Sequence, residues 1–370
     1  MTVQSQQIRQ YSLHFNTPAF LGNAQQNAQW RTPPIKALLR QWWRVAYAAD
    51  RNFKVDVAAM RREEGLLFGH AWLEDDVSAA RKSALRLRLS HWNAGALQQQ
   101  QWPQFGTVRH DEVPRPVAAD LYLGYGPVTL PKGGSKPTLK ANAAIQADEQ
   151  ADFSLAYPAG AAPLLEHALA LTSRFGTLGG RSRNGWGSLH LAPHDGTPAL
   201  QGALPLRDWQ QALTLDWPHA IGQDKCALIW QTRPFDDWQQ LMQELARIKI
   251  ALRTQFNFTL DGNAGDKQLY NKKREEIGIA HGQPQNRHWL SYPVTHHSVR
   301  DWGNQARLPN SLRFKVLRTG GASGQFVGLI FHMPCLPPAA FRPSVQEVQA
   351  TWQQVHRHLD QSTSLTRTQK

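Results

Sequence analysis

"RFGTLGGRSRNGWGS", residues 174–188, is the stretch on which the reading of this sequence turns. Fifteen residues carry five glycines, three arginines and one tryptophan. Just ahead, Pro163 to Phe175 has the apolar spacing of a helix, and "GSLHLAP" behind it alternates like a strand. A glycine-rich loop raises the question of nucleotide binding, and the order of elements answers it. A phosphate-binding loop precedes a helix and uses its positive N-terminal end, whereas this loop follows one. Gly176 is followed five residues later by Arg181 and not by the Gly-Lys-Ser/Thr of a phosphate-cradling loop. Contact with a phosphodiester chain remains. Glycines such as Gly179 and Gly180 let a backbone come close to it. Arg181 and Arg183 have the forked guanidinium that suits phosphate, and Ser182 and Asn184 suit sugar or base edges. Trp186 has two readings, stacking on a base or packing into the core at the start of a strand, and the second is preferred.

Outward from the loop, "DFSLAY" (Asp152–Tyr157) reads as a strand before the helix. Further upstream, Tyr11, Leu13 and Phe15 alternate along Arg9–Asn16, a half-buried strand. "TPPIKALLRQWWRVAYAAD" follows, with Thr32 placed to cap and Pro33 to start a helix. Its apolar stripe is Ile35, Leu38, Leu39, Trp42, Val45, Ala46 and Ala49. "ALRLRLS" (Ala84–Ser90) turns leucines in and arginines out, and His91 to Pro137 reads as long loops and short strands. The first half therefore runs β-α-β, insertions, β-α-β.

The second half repeats the pattern loosely. "CALIWQT" (Cys226–Thr232) is a strand and Phe235–Gln255 a long amphipathic helix. "SLRFKVLR" and "QFVGLIFHM" form a hairpin, Pro343–Asp360 a last helix, and the tail from Gln361 a loose end. The fold class is α+β, two ferredoxin-like (RRM-like) units with long loop insertions. Pro and Gly cluster at Gly196–Asp208, which sets the units at 1–200 and 201–370.

The balance of 41 Lys+Arg against 28 Asp+Glu, +13 in all, points to a polyanionic partner. No apolar run approaches the ~18 residues of a membrane span. Two cysteines, Cys226 and Cys335, make neither a disulfide framework nor a zinc site, and the cytoplasm is the expected compartment. Most of the 14 tryptophans belong in cores or interfaces, leaving some for bases.

These residues resemble a family. "GGRSRNGWG" after the second helix of such a unit resembles the RAMP superfamily of CRISPR-associated proteins. "NTPAFLGNA" followed by "RTPPIKALLRQWWR" is similar to the opening of the first subunits of the Cmr complex, the type III-B effector. "EEGLLFGH" (Glu63–His70) and "RLPNSLRFKV" (Arg307–Val316) resemble two further segments of that family. Pro34 departs from its usual Ser, Ala37 from its Gly, and a proline expected after Ser311 is missing. The resemblance implies a terminal, backbone-type subunit near the 3′ end of guide RNA. It would touch guide RNA or target RNA and neighbouring effector subunits, in antiviral defence, with no cofactor and no catalytic residue assigned. Asp111 and Asp120 are each expected to be solvated loop residues. The competing reading is a metal-independent RAMP-type endoribonuclease with a histidine as general base.

A second basic set is Arg31, Lys36, Arg40 and Arg44, which either meets a phosphate at the helix start or is a solvated flank. Trp43, off the main stripe, is free to support a partner contact. Arg313 and Lys315, on one face of a strand, line an RNA groove or an exposed sheet face. "DKQLYNKKREEIGIAHG" (Asp266–Gly282), with Lys267, Lys272, Lys273 and Arg274, is a basic loop or a helix. The 15 histidines show no metal-ligand spacing.

Overall fold

A computed structural model describes residues 5–71, 80–141, 143–260, 267–271, 276–320 and 324–368. The opening alternation does what its period dictates. Strand β1 (Gln6–Phe15) buries Tyr11, Leu13 and Phe15 and leaves its other side open. Helix α1 (Thr32–Asp50) buries Ile35, Leu38, Leu39, Trp42, Val45 and Ala46. Its start differs from expectation: Arg31 is the cap residue, Thr32 is already helical, and no side chain caps the end. Pro33 and Pro34 have no N–H, so two of the donors that a cap would satisfy do not exist. Trp43 is buried too, with its ring 5.1 Å from Tyr47 and 5.9 Å from Phe68. Phe68 ends α2 (Val57–Phe68), a helix not foreseen in the sequence, which covers this flank and takes Trp43 out of reach of partners.

Strand β2 (Arg86–Leu89), a short α3 (Ala119–Gly124), β3 (Gln150–Pro158), α4 (Ala162–Phe175) and β4 (Leu189–Pro193) complete the first half. The sheet order is β4-β1-β3-β2, every neighbour antiparallel, with Leu13 opposite Ala151 on one side and Leu191 on the other. Helices α1 and α4 meet through Trp42 and Phe175, rings 5.8 Å apart.

The second half is built from β5 (Ile229–Thr232), α5 (Trp238–Thr254), β6 (Leu312–Arg318), β7 (Phe326–His332), α6 (Val345–Asp360) and β8 (Leu365–Arg367). Its sheet order is β6-β7-β5-β8, again antiparallel throughout. In chain order both sheets therefore run fourth-first-third-second. The tail is not loose. Arg367 in β8 reaches Asp224 and Asp360 and lies over the Trp230 ring, which pins the last strand to the sheet edge.

The architecture is α+β, with two hydrophobic cores. Strand β7 is buried along its whole length because its two faces serve different cores: Leu329 and Phe331 meet the first half, while Phe326 and Ile330 meet the core of α5 and α6. The rings of Phe331 and Phe175 lie 5.0 Å apart across this junction. Leu97, Trp102, Val108, Leu123, Val128 and Leu139, from the long insertion, join the α5–α6 core. Within Asp266–Gly282 the chain forms strands Lys267–Asn271 and Glu276–His281, neither loop nor helix, while Asp266, Lys272, Lys273 and Arg274 lie outside the described residues. No helix among the described residues is long and apolar enough to cross a membrane.

Candidate nucleic-acid interface

The loop of residues 176–188 leaves the C-terminal end of α4 and runs along the junction between the two sheets. Its glycines are used against the protein's own backbone. A Cβ on Gly179 (φ +98°) would sit 2.8 Å from the carbonyl oxygen of Phe20, and one on Gly187 (φ +62°) only 1.9 Å from that of Leu178. Gly180 donates its N–H to Phe20 (3.0 Å) and lies against Pro127. The expectation that Gly179 and Gly180 open a path for phosphodiester is thus corrected: the close approach is to Phe20. The "NTPAF" segment serves the same packing. Thr17 Oγ1 donates to the Gly185 carbonyl (2.7 Å), and Asn16 Nδ2 donates to the Val316 carbonyl of β6 (3.0 Å). Trp186 is fully buried among Phe20, Trp102, Phe105 and Trp238, as the preferred reading has it.

This packing fixes where the cations stand. Arg181, in the left-handed region at φ 55°, is exposed, and its Nε donates to the Tyr125 carbonyl (2.6 Å). Ser182 accepts from Gly185 N–H through its carbonyl, closing a turn (3.1 Å). Arg183 is exposed, while its carbonyl accepts from Phe314 N–H of β6 (3.0 Å), so the loop borders that strand. Neither arginine pairs with a carboxylate among the described residues. Asn184 is not free for a base edge: its Nδ2 donates to the Leu123 carbonyl (2.6 Å) and its Oδ1 accepts from Lys249 Nζ.

Lys249 and Arg253, one turn apart on α5, complete the set. Together with Arg183, Asn184, Asn310 and Trp352 they line a shallow cleft, beside apolar residues that include Leu252, Leu290 and Phe314. No carboxylate lines it. Burial, then the charges of Arg253 and Arg181, push the Lys249 ammonium down to about 7. Arg313 lies beside Arg183, and burial followed by that like charge lowers it to about 10. Among the described residues its Nε has no hydrogen-bond partner. Cations gathered with no carboxylate in the lining, Glu112 bearing on Arg253 from outside it, form a partly desolvated place where an anion relieves repulsion.

The remaining expected residues fare differently. Lys315 is corrected outright: it is fully buried, and its Nζ donates to the carbonyls of Ser173 (3.0 Å), Gly176 and Leu189. The face it shares with Arg313 is turned toward the first half, so no exposed groove forms at Lys315. Burial pushes its ammonium well down, but the C-terminal end of α4 supplies the partial negative charge that a cation needs there. Arg31 donates to the Gly22 carbonyl (2.6 Å). Arg40 and Arg44 are neither phosphate ligands in waiting nor a freely solvated flank. Both clasp the buried carboxylate of Glu64 on α2, Arg44 through Nε (2.6 Å) and Nη2 (2.8 Å). Lys36 is half-buried beside Arg40 and is held below its usual pKa by burial and then by that neighbour. Glu64→Gln is expected to destabilise the fold by about 2–3 kcal/mol, below the usual cost of breaking a buried pair because both guanidiniums reach water. A lowered denaturant midpoint at unchanged slope checks this.

Acid–base candidates are also placed. Asp111 is solvated beside Arg109, but Asp120 is buried and accepts from Trp102 Nε1 (2.8 Å), with burial raising its carboxyl. Asp120 opens α3, so its expected loop position was wrong. Two histidine groups that no spacing announced lie inside the fold. One is His281–His297 beside His288. The other is a chain from Ser311 through His332 to His356. Burial lowers His288 to about 3, His297 to about 4 and His356 to about 3, so all three are neutral at pH 7. Among the described residues no three His, Cys, Asp or Glu side chains are grouped to hold a metal ion.

No family model and no curated protein matches the chain. Among solved structures it is similar to apo Cmr1 from Pyrococcus furiosus, at 13% identity over 92% of each chain with a TM-score of 0.44. It is also similar to a chain of the type III-B Cmr-beta assembly bound to cognate target RNA and AMPPnP, at 11% identity over 96% of this chain and 100% of that one, TM-score 0.42.

Sequence reasoning missed Lys249, Arg253 and Tyr125. The first two carried a signal, since cations four apart share one face of a helix. Tyr125 carried none, because its exposure depends on how α3 docks.

Proposed function

We propose that this chain is an RNA-binding, RAMP-type terminal subunit of a type III CRISPR ribonucleoprotein, acting in antiviral defence in the cytoplasm. Its partners are guide RNA, target RNA and other effector subunits. The observation that carries this reading is the acid-free cleft of Arg183, Lys249 and Arg253, with Arg181 exposed beside it. Contacts of this kind grip phosphates and are indifferent to sequence, as a subunit serving many guides requires. The strand order of the two sheets supports two ferredoxin-like units, residues 1–200 and 201–370, with the insertion around residues 97–144 leaning on the second. The ordered motifs from Leu13 to Val316 support the assignment to this superfamily.

The test is titration of labelled single-stranded RNA with the purified chain, at several salt concentrations and at pH 6.5 and 8.5. Affinity is expected to fall with salt by about 0.7 log units per phosphate contact per log unit of salt. It is also expected to be weaker at pH 8.5. A lysine held near pH 7 loses its proton as pH rises, and the cleft then loses a positive charge. A gel of the same mixtures, with and without EDTA, is expected to show intact RNA. Binding that ignores salt overturns the proposal, and cleavage replaces it with the endoribonuclease reading.

A further inference from the structure

Beside the cationic loop stands an exposed aromatic ring with no ring or hydroxyl partner among the described residues. Tyr125, the residue after α3, is 66% exposed. Its ring is free but its backbone is held: its carbonyl accepts from Arg181 Nε (2.6 Å), and Gly126 and Pro127 lie against Arg181 and Gly180. An exposed ring and an exposed guanidinium are therefore fixed at one corner. The chain that follows adds charge of one sign. Between Asp120 and Asp148 there is no acidic residue, and Lys132, Lys136 and Lys140 are all exposed. Two of these lysines lie in the connection between the short paired strands Val128–Thr129 and Thr138–Leu139, and Lys140 directly follows the second. On the other side of Arg181 lies the cleft, close enough for Arg181 to bear on the Lys249 ammonium.

We propose that Tyr125 is a base-stacking platform for single-stranded RNA, one nucleotide resting on its ring while the adjoining phosphate meets Arg181. The strand would pass from the cleft over Arg181 to Tyr125 and on toward Lys132 and Lys136. This rests on the RNA-binding reading and adds to it a contact of a different kind. Phosphate contacts are ionic and fade with salt, whereas stacking involves the base and does not. A protein partner would also use an exposed tyrosine, but the run of lysines without a carboxylate favours a polyanion.

The full-length chain would be titrated with fluorescein-labelled uridine homopolymer RNA of roughly 12 nucleotides, within the usual span of such sites. A second probe of equal length would carry abasic sugars. Tyr125→Ala is expected to weaken binding of the first probe about tenfold with an unchanged salt slope. Tyr125→Trp is expected to keep wild-type affinity, and the alanine variant to match wild type on the abasic probe. Arg181→Ala should lower the salt slope on both probes. If Tyr125→Ala binds the uridine probe like wild type while Arg181→Ala is weakened, stacking is wrong and RNA binding stands. If the same loss appears on the abasic probe, stacking is wrong as well. If wild type itself shows no salt-dependent binding, both readings fall.

Discussion

Lys315→Met is expected to destabilise the protein by about 3 kcal/mol or more, although the two side chains have nearly the same length. Three carbonyls, those of Ser173, Gly176 and Leu189, share the Lys315 ammonium as donor. An orphaned buried acceptor costs about 1–3 kcal/mol, and methionine satisfies none of them. An opposing effect exists: a buried charge is expensive, so removing it returns some desolvation energy. The carbonyls decide the balance because they remain in place when the charge is gone. A loss of this size is a large share of the ~5–15 kcal/mol that holds a folded domain. The denaturant midpoint reads it directly. An unchanged midpoint would mean that the site tolerates the lysine and does not need it. Lys315 also joins β6 to the first residue of the glycine-rich loop, so the variant is expected to loosen the loop as well.

The double variant Arg183→Ala with Arg253→Ala is expected to weaken RNA binding on the order of a hundredfold, since each arginine removed takes away a charge-assisted phosphate bond worth about 1.4 kcal/mol. The salt slope should fall by about 1.4 with it, two phosphates at ~0.7 each. Melting should fall only modestly: Arg183 is exposed and pairs with no carboxylate among the described residues, while half-buried Arg253 bears on Glu112 and Tyr122 and carries what loss there is. Loss of affinity with an unchanged slope would instead point to an altered fold, and a wild-type isotherm would remove the cleft from the interface. Lys249 is left in place in this test because its bond to Asn184 helps hold the loop.

The Glu64 clasp shows why charge on a helix flank is hard to read from a chain. Arg40 and Arg44 lie four apart, a spacing equally suited to a phosphate and to a carboxylate. Only the docking of α2 brings Glu64 between them. The same holds at β6, where alternation correctly separates Phe314 from Arg313 and Lys315. The alternation is silent on whether the second face meets water or another sheet. Here it meets the first half of the molecule, and a lysine expected at a groove becomes a buried donor.

Periodicity and turn chemistry alone determined the elements: β1, α1, β3, α4 and the hairpin of β6 and β7, along with the α+β class. They did so because a side chain's direction along a strand or helix follows from local geometry. The sequence also settled that the loop follows a helix, and with it that the negative end of the dipole faces the loop. Tertiary structure decided the rest. It turned the glycines toward Phe20 and Leu178, sank Trp186 and Lys315, engaged Arg40 and Arg44 with Glu64, and made the polar tail a strand. It also brought Lys249 and Arg253 of one half to Arg183 of the other. Burial and charge pairing depend on which distant surfaces meet, and no local pattern encodes that meeting.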